Sequence, residues 1–452
     1  MAAKWIEGFA PYTAVWDHKP VGIYFIFLCF IKVFGLAIHS IRIATIFFVF
    51  LSALLTQKIG EKMFDRQTGI YASLVYAVFS LGLEGLAANT EHFFIFFNLL
   101  GVYAALTIKK ASSAWRFIII GIAWGIAFQI KYSAGFEILF YILFFSFYFY
   151  RWLNMPFSLT HILGGLAGFL LPTFLVILYF YMSGYWGTFY ASTLLANIAH
   201  LSPTFDYKTV VFFYLCSVGR WFVHIYPMVL IGTIGYIISS RRTEPTSATN
   251  PIPLILFGWV LVTLVEAWTT LRFSEYYYLP TIAPVCITFA HYFNGLFKDT
   301  HKLKTNMVLI MVMLLPLSKI GYKTYWPWTK FYLKNRSDQT EMISKFIKSE
   351  ISPNDTIYVA DDEPIIYFLA GAQMPTRYIF PPFLTEPHFI KVAGVTFQNE
   401  MKSILKLKPK FVVLRATQEP SSKPQINFLL QQMEGVYRLD RQFENTDLYR
   451  LK

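Results

Sequence analysis

Charged residues are scarce in this chain of 452 residues: they make up 14% of it, whereas hydrophobic residues make up 56%. A soluble globular domain carries about 25% charged residues. The shortage excludes an ordinary cytosolic enzyme, and the abundance of apolar and aromatic side chains excludes a disordered chain. The composition predicts a polytopic α-helical membrane protein.

Cysteine pairs and nucleotide-binding signatures are also lacking. The three cysteines, Cys29, Cys216 and Cys286, lie in or beside apolar segments without metal-ligand spacing, which disfavours a disulfide framework and a zinc cluster. The chain has no Walker loop, no nucleophile elbow, no HExxH and no DxD on a soluble loop. For an enzyme of this kind, a lipid-linked donor fits better than a cytosolic nucleotide sugar.

Apolar runs of the length that crosses a bilayer, about 17–25 residues, recur up to residue 322. An additional run, 21–37, contains Lys32 and Gly35, and we interpret it as a helix lying in the membrane interface, with a true span as the alternative. The sequence thus predicts about ten transmembrane helices plus an interfacial helix. The predicted spans are roughly 41–58, 69–85, 92–108, 115–131, 134–150, 160–182, 222–240, 252–271, 278–297 and 305–322.

Basic residues form clusters in the short loops between these runs, and the formal net charge is +13. Such clusters mark cytoplasmic loops, and their scatter disfavours nucleic-acid binding. With all of them in the cytoplasm, the predicted spans have the right parity, and loops 86–91, 183–221 and 272–277 face outward with the C-terminal domain. The clusters are Lys58–Arg66, Lys109–Arg116, Arg151, Arg241–Arg242 and Lys298–Lys304.

The chain divides into three predicted regions: an outward loop with the interfacial helix (1–40), a transmembrane domain (41–322) and a C-terminal soluble α/β domain outside the cytoplasm (323–452). Acidic residues 361–363 directly follow the first strand of that domain, where some enzymes bind ligands, but a solvated turn is the favoured interpretation. We predict strands at 356–360, 411–415, 437–439 and 448–451, and helices at 364–369 and 426–433.

Residues 1–20 lie outside by the same parity if 21–37 does not cross the membrane. They contain no apolar signal region that could carry them there. We therefore expect a natural start upstream of Met1, with one further transmembrane helix.

The segment Trp16-Asp17-His18-Lys19-Pro20 precedes the first apolar run. Pro20 suits the first turn of a helix, because proline lacks the N–H that is unpaired there, and Asp17 is placed to cap that helix. Lys19 is then a cation at the lipid–water boundary, where an ammonium group can pair with a lipid phosphate. A snorkelling lysine beside a capping aspartate is the alternative interpretation.

Glu91 lies on the outward side, where the 92–108 helix begins. The helix dipole favours a carboxylate there, but an ionisable group at the rim of a bundle is also a functional candidate, as a general base or a metal ligand. His18 and His92 are further candidate ligands for a divalent metal ion near Glu91. The spacing of these residues does not require a metal.

A second outward loop carries Arg272, Tyr277 and Tyr278. Tyrosines are typical of the membrane interface, whereas an arginine beside tyrosine hydroxyls also suits a phosphate, and both interpretations stay open. Lys131, at the outer end of its helix, is a further cation of this kind. Glu266, deep in the 252–271 helix, is a lone acid to which the sequence assigns no partner.

Four segments in order resemble a known group of enzymes. They are GFAPYTAVWDHKPVGIYFIFLCFIKVFG, AANTEHFFIFF with Glu91, GIAWGIAFQIKYSA with Lys131, and RFSEYYYLPTIAPVCITFA. Together they resemble the aminoarabinose-transferase and protein-mannosyltransferase group, which are GT-C membrane glycosyltransferases of the dolichyl-phosphate-mannose mannosyltransferase type. The resemblance spans nearly the whole chain, but it is not specific for a substrate.

The resemblance implies an enzyme that takes a sugar from a polyprenyl-phosphate carrier on the outer face of the membrane. The sugar passes, with inversion at the anomeric carbon, to a lipid, glycan or protein acceptor. By position in the family pattern, Asp17 and Glu91 would be the catalytic acids, with His18 lining the same cavity. The donor phosphate would be bound by Lys19, Arg272, Tyr277, Tyr278 and Lys131.

One departure from the family pattern concerns an essential acid in the first outward loop, upstream of the DHKPP-like stretch. Glu7 is the only carboxylate before Asp17 here, and Val21 stands where a second proline is common. This pattern agrees with an upstream start. We expect the missing acid to deprotonate the acceptor while Lys19, with Arg272, stabilises the leaving phosphate.

Two alternatives stay open. A transporter or lipid flippase would also have ten or more spans, interfacial cations and an intramembrane acid, although the halves show no convincing repeat. An inactive paralogue would bind the carrier lipid without transferring a sugar. The lysine-rich loops favour a bacterial inner membrane, with membrane lipids around the helices.

Overall fold

The computed structural model divides the chain into two compact units. Unit 1 comprises Met1–Lys19, Ser183–Ser202 and Pro327–Lys452, and unit 2 comprises Pro20–Met182 and Pro203–Trp326. The region 1–40 is thus divided between the two units. The structure describes residues 1–109, 114–151, 158–200, 206–242, 252–269, 273–297, 304–318, 339–415 and 424–452.

Helices dominate both units. A π-helix spans Tyr190–Leu195 and a 3₁₀ helix spans Glu275–Thr281. The α-helices are α1 (Ala2–Ile6), α2 (Val21–Phe34), α3 (Ile38–Met63), α4 (Arg66–Phe79), α5 (Thr90–Leu106), α6 (Trp115–Ile130), α7 (Ala134–Arg151), α8 (Leu159–Met182), α9 (Trp186–Phe189), α10 (Ala196–His200), α11 (Tyr207–Arg242), α12 (Ile252–Thr269), α13 (Ile282–Leu296), α14 (Lys304–Ser318), α15 (Gln339–Glu350), α16 (Ile365–Ala370), α17 (Pro382–Thr385), α18 (Pro387–Ala393), α19 (Phe397–Lys406) and α20 (Pro424–Met433).

A helix occurs at each of the ten predicted apolar runs, which confirms the predicted fold class. Within the described residues, α3, α8, α12 and most of α11 are long and apolar enough to cross a membrane, and several shorter apolar helices accompany them. The number of spans stays a prediction. The predicted outward loop 183–221 is too long, because α11 already begins at Tyr207. Lys208 and Arg220 are exposed residues in the first half of α11. They lower the local hydropathy, so an apolar run is not recognised before residue 222.

Both ends of α2 lie at the same end of the helices in unit 2. At its start, the backbone of Gly22 packs against the carbonyl of Gln129, at the carboxyl end of α6. Its other end leads into α3, whose Arg42 donates a hydrogen bond to the Leu86 carbonyl over 2.9 Å. Since Leu86 belongs to the loop before α5, at the same end as Gln129, this arrangement favours an interfacial α2 over a span.

The opposite end of unit 2 carries the contact between the α3–α4 turn and α13. Asp65 caps α4 by accepting a hydrogen bond from the Thr68 N–H over 2.8 Å. The same carboxylate accepts from the Asn294 amide at 3.2 Å. The α3–α4 turn and the carboxyl end of α13 therefore lie at one common end of unit 2.

Glycines bring α6 and α8 into backbone contact. A Cβ atom on Gly121 would lie 2.1 Å from the carbonyl oxygen of Gly165, and one on Gly168 would lie 2.1 Å from that of Ile118. Small residues permit such close crossings between membrane helices, where dispersion contacts rather than the hydrophobic effect hold helices together. The contact fixes α6, the helix that ends at Lys131.

Unit 1 contains a four-stranded sheet in the order β1-β2-β4-β3. The β1–β2 pair is parallel and the other two pairs are antiparallel. The predicted strands and the helices α16 and α20 are confirmed, whereas α15, α17, α18 and α19 are not foreseen in the sequence. The strands are β1 (Ile357–Asp361), β2 (Phe411–Arg415), β3 (Tyr437–Gln442) and β4 (Thr446–Leu451).

Asp362, in the acidic turn after β1, has structural partners. Its carboxylate accepts hydrogen bonds from the Glu363 N–H over 2.7 Å and from the Thr446 hydroxyl. The side chain is almost completely buried, with Arg415 at 3.5 Å. These contacts join the end of β1 to β2 and β4, which favours the interpretation of a structural turn over a ligand site.

We predict that Gly121→Ala destabilises the protein by about 1–3 kcal/mol, because the added methyl group collides with backbone rather than with an adjustable side chain. Gly219→Ala in α11 is the matched control, since a Cβ atom there meets no atom within 4 Å. Thermal unfolding in detergent compares the two variants. Equal melting temperatures would contradict the close α6–α8 crossing.

Candidate functional site

A buried ion pair joins α5 to the end of α6. Glu91 lies in the first turn of α5, and Lys131 is the residue at which α6 ends. The Lys131 ammonium contacts Glu91 Oε1, and the Glu91 side chain is fully buried whereas that of Lys131 is 17% exposed. The cation offsets the cost of burying the Glu91 charge. Both residues are candidates from the sequence, but their pairing is visible only in the structure.

Aromatic rings surround the Lys131 ammonium group. Its Nζ atom lies 4.2 Å from the ring centre of Tyr277, and 5.9 and 6.0 Å from those of Phe94 and Tyr276. Cations are attracted to the faces of such rings. The carboxylate of Glu91 and the ring of Tyr277 together hold the Lys131 ammonium group at the carboxyl end of α6.

The tyrosine hydroxyls at this place differ in their surroundings. Tyr276 donates a hydrogen bond to the Tyr277 hydroxyl over 3.2 Å. Burial raises the pKa of Tyr276, and the neighbouring Tyr277 contributes less. The Tyr276 phenol therefore stays protonated at neutral pH and remains a donor. The sequence analysis did not select it among the three consecutive tyrosines.

Tyr278 points away from this cluster, contrary to its predicted role beside Tyr277. Its ring is 2% exposed, and its hydroxyl lies 2.5 Å from that of Ser217 in α11. Each residue of a 3₁₀ helix turns the side-chain direction by about 120°, and the Tyr278 hydroxyl is directed to Ser217 of α11. Tyr278 therefore anchors the 3₁₀ helix to α11.

Arg272 lies outside the described residues. Within the described part of the same region, Arg220 of α11 donates a hydrogen bond to the Phe273 carbonyl over 3.1 Å and lies 3.7 Å from Glu275. Its side chain is half-exposed. Arg220 is not among the candidates from the sequence, because residue 220 was predicted to lie in a loop. The one indication was a basic residue just before the apolar run 222–240.

In unit 1, the backbone at Asp17, His18 and Lys19 forms a tight turn. The Asp17 carboxylate accepts hydrogen bonds from the N–H groups of His18 and Lys19, at 2.7 and 3.3 Å. No side-chain hydrogen bond caps α2, which follows Pro20. The predicted helix cap is therefore wrong: Asp17 satisfies the backbone donors of its own turn.

The Lys19 ammonium group is accessible. Its side chain is 49% exposed, and its Nζ atom lies 3.8 Å from Asp17 Oδ2, which is a loose contact. The carbonyl of Lys19 is held by the hydroxyl of Tyr12 at 2.8 Å. Tyr12 is fully buried and adopts a φ of 70°, a conformation that is costly for a bulky residue. Buried packing thus fixes the backbone below an exposed cation.

Trp16 anchors the same segment to the C-terminal part of unit 1. The Trp16 N–H donates to the Arg377 carbonyl over 2.9 Å. Its ring packs against Tyr378, Phe383 and Phe389, with centroid distances of 5.8, 4.6 and 5.8 Å. We call these four rings the Trp16 cluster.

His18 adds a further contact to the Trp16 cluster. Its ring lies 5.3 Å from that of Phe389 and 5.9 Å from that of Phe383. The amide of Asn197 donates a hydrogen bond to the His18 carbonyl. The segment before α2 is therefore held by contacts with two distant parts of the sequence, around Asn197 and Phe389. The hydropathy pattern predicts only a location at the membrane edge for it.

The candidate metal ligands from the sequence are divided between the two units: His18 belongs to unit 1 and Glu91 to unit 2. The Nε2 atom of His92 instead lies 2.8 Å from the Gly85 carbonyl. Across the described residues, no group of three or more His, Cys, Asp and Glu side chains is arranged to hold a metal ion.

Comparisons with known proteins extend this geometry. The sequence pattern of the family described as dolichyl-phosphate-mannose-protein mannosyltransferase matches residues 17–179, a range that begins at Asp17 and includes Glu91 and Lys131. No curated protein sequence matches the chain. Among solved structures, ArnT from Cupriavidus metallidurans bound to undecaprenyl phosphate is similar, with a TM-score of 0.67 and 12% identity over 99% of this chain and 91% of ArnT.

The chain has the fold of ArnT. Its resemblance to the aminoarabinose-transferase and protein-mannosyltransferase group is thereby confirmed. The apo structure of ArnT gives a TM-score of 0.65 at 12% identity, again over 99% of this chain and 91% of ArnT. The archaeal oligosaccharyltransferase AglB from Archaeoglobus fulgidus, in complex with an inhibitory peptide and a dolichol-phosphate, gives 0.45 at 12% identity over 90% of this chain and 63% of AglB.

We predict that Lys131→Met destabilises the protein by about 3–5 kcal/mol, because it leaves the Glu91 carboxylate buried without a partner. The double variant Lys131→Met with Glu91→Gln should recover much of the loss, since no unpaired charge remains. Detergent unfolding of wild type, both single variants and the double variant completes the cycle. Additive effects would contradict a direct pair.

For the N-terminal segment, we predict that Trp16→Ala lowers stability by about 3–5 kcal/mol, as expected for an emptied aromatic site. Trp16→Phe should lose less, and Phe9→Ala, at a residue 50% exposed, should be close to neutral. Limited proteolysis should release the N-terminal segment of the Trp16→Ala protein first. An unchanged cleavage pattern would argue against the Trp16 cluster as its anchor.

Proposed function

We propose that this chain transfers a sugar from a polyprenyl-phosphate donor to a lipid, glycan or protein acceptor at the outer face of a bacterial inner membrane. The observation that carries the proposal is a fold shared with undecaprenyl-phosphate-bound ArnT over 99% of the chain. The family match from Asp17 to beyond Lys131 adds support from the sequence. The transfer is proposed to be hexosyl or pentosyl and inverting.

Lys19 is proposed to bind the phosphate of the donor. It has the accessible ammonium group that such a ligand requires, on a backbone that Tyr12 and the Trp16 cluster hold in place. Asp17 is close enough to orient the lysine but, at 3.8 Å, does not occupy it fully. A phosphate ester is already a good leaving group, so charge stabilisation and positioning account for the catalysis we assign to this segment.

Glu91, Lys131 and Tyr277 are proposed to form a polar and aromatic binding surface within unit 2. Because Glu91 neutralises Lys131, this pair presents less net positive charge than Lys19 does. A protonated Tyr276 beside Tyr277 offers hydroxyl groups to a sugar. We therefore propose Lys19 as the main candidate for binding the phosphate and Lys131 as a second candidate. The C-terminal domain is proposed to lie outside the cytoplasm.

The proposal is tested by measuring the binding of undecaprenyl phosphate to the full chain. Native mass spectrometry in detergent detects the complex. Lys19→Ala should weaken binding by about 1.5–3 kcal/mol, the contribution of a charge-assisted hydrogen bond, which is roughly tenfold or more in Kd. Lys4→Ala is the matched control, because Lys4 belongs to the same segment but pairs with Glu7 at 2.6 Å. Equal losses in the two variants would remove the assigned role.

Transfer itself is tested with undecaprenyl-phosphate-linked sugars and with lipid A or serine-containing peptides as acceptors. A glycosylated acceptor that disappears with Lys19→Ala supports the enzyme. Binding of the carrier without transfer by any combination would instead favour a carrier-lipid-binding paralogue. Solute uptake into proteoliposomes would favour a transporter.

A further inference from the structure

A set of polar side chains fills the interior of unit 2 between α5, α7 and α12. Its members are all between 1 and 2% exposed: Asn98, Glu137, Tyr141, Trp259 and Glu266. Glu137 follows Lys131 by six residues. Glu266 was assigned no partner from the sequence. Ionisable groups inside a membrane bundle are costly, so their presence calls for a function.

Glu137 has the surroundings of an ionised carboxylate. Its Oε1 atom accepts a hydrogen bond from the Asn98 amide over 3.2 Å. Its Oε2 atom accepts from the Trp259 indole N–H over 3.0 Å and from the Tyr141 hydroxyl. Three donors converging on one carboxyl group stabilise its charged form.

Glu266 has the opposite surroundings. A single donor, the Ser133 hydroxyl, reaches its Oε1 atom at 2.7 Å. Its Oε2 atom has no hydrogen-bond partner among the described residues, and neither has the amide oxygen of Asn98 beside Glu137. The two glutamates interact with each other. A carboxyl oxygen that is buried and unpaired is tolerable when it carries a proton, and unfavourable when it carries charge.

The charges around this pair decide which glutamate is neutral. The charges of Lys131 and Glu91 also act on Glu266, whereas Tyr141 donates its hydrogen bond to Glu137. Lys131 is already balanced by Glu91, so no cation remains among the named groups for a second carboxylate. Two neighbouring carboxylates in a low-dielectric interior do not both ionise. Since Glu137 has three donors and Glu266 has one, the proton belongs on Glu266.

We propose that Glu266 and Glu137 form a proton-binding site, with the proton on Glu266, and that this keeps Lys131 paired with Glu91 alone. Ser133 links the two pairs, because it follows Lys131 by two residues and donates to Glu266. An ionised Glu266 would compete with Glu91 for the ammonium group. Glu266 is thus a positioning residue for the Lys131 pair, and this inference does not depend on the proposed sugar transfer.

The direct test is infrared difference spectroscopy of the full chain in nanodiscs at neutral pH. A protonated carboxylic acid has a carbonyl stretch well separated from carboxylate bands. We expect this band in wild type, its shift to lower frequency in D₂O, and its loss in Glu266→Gln. Glu363→Gln is the matched control, because it makes the same substitution at a side chain that is 61% exposed. A wild type without the band, or a band that survives in Glu266→Gln, overturns the proposal.

Stability against pH supplies a second readout. The folded chain holds a proton that an unfolded chain releases, so the unfolding equilibrium constant should rise by about tenfold per pH unit between mildly acidic and mildly alkaline conditions. Glu266→Gln mimics the neutral acid and should remove that slope while it keeps the fold. Glu137→Gln, which removes the accepting charge, should unfold more easily at all pH values.

Two outcomes would assign the site differently. If added sodium ions at constant ionic strength stabilise wild type but not Glu266→Gln, and the infrared band is absent, the site binds a monovalent cation and the proposal is wrong. If Glu266→Gln fails to fold, Ser133→Ala provides the substitute: loss of its hydroxyl should move the carbonyl band of Glu266 without removing it. An unmoved band would then contradict the assignment.

Discussion

The pairing of Glu91 with Lys131 is the constraint on which the rest of unit 2 depends. The Glu91 carboxylate is fully buried and is paired with a cation, Lys131, which lies where α6 ends. The close glycine crossing with α8 fixes the course of α6, and the 3₁₀ helix supplies the rings that enclose the ammonium group. Helix packing, loop conformation and charge balance are therefore parts of one arrangement.

Unit 1 solves a different problem, which is to hold an exposed cation in a defined place. A lysine side chain loses much conformational freedom when it is fixed. The buried Tyr12 and the rings around Trp16 fix the backbone at Lys19, while the ammonium group itself stays accessible. Positioning through the backbone leaves the side chain available for a ligand.

Much of this architecture follows from the sequence, because the length of an apolar run reports directly on bilayer thickness. Glu91 and Lys131 could be selected one by one, since ionisable residues at helix ends stand out. Their pairing could not, because it depends on how two helices rotate about their axes. The different surroundings of Tyr276, Tyr277 and Tyr278 could not be predicted for the same reason. Glu137 was missed although it is an acid within the apolar run 134–150.

The Trp16 cluster joins residues that are synthesised far apart in time. Trp16 leaves the ribosome early, whereas Phe383 and Phe389, its ring partners, are added near the end. Contacts of such long sequence separation form late in folding. The turn that carries Lys19 therefore acquires its final support only after nearly the whole chain has been made. A partly synthesised chain therefore holds the helices of unit 2 before it holds a finished N-terminal turn, and the fixed conformation at Lys19 is completed as a late step of assembly.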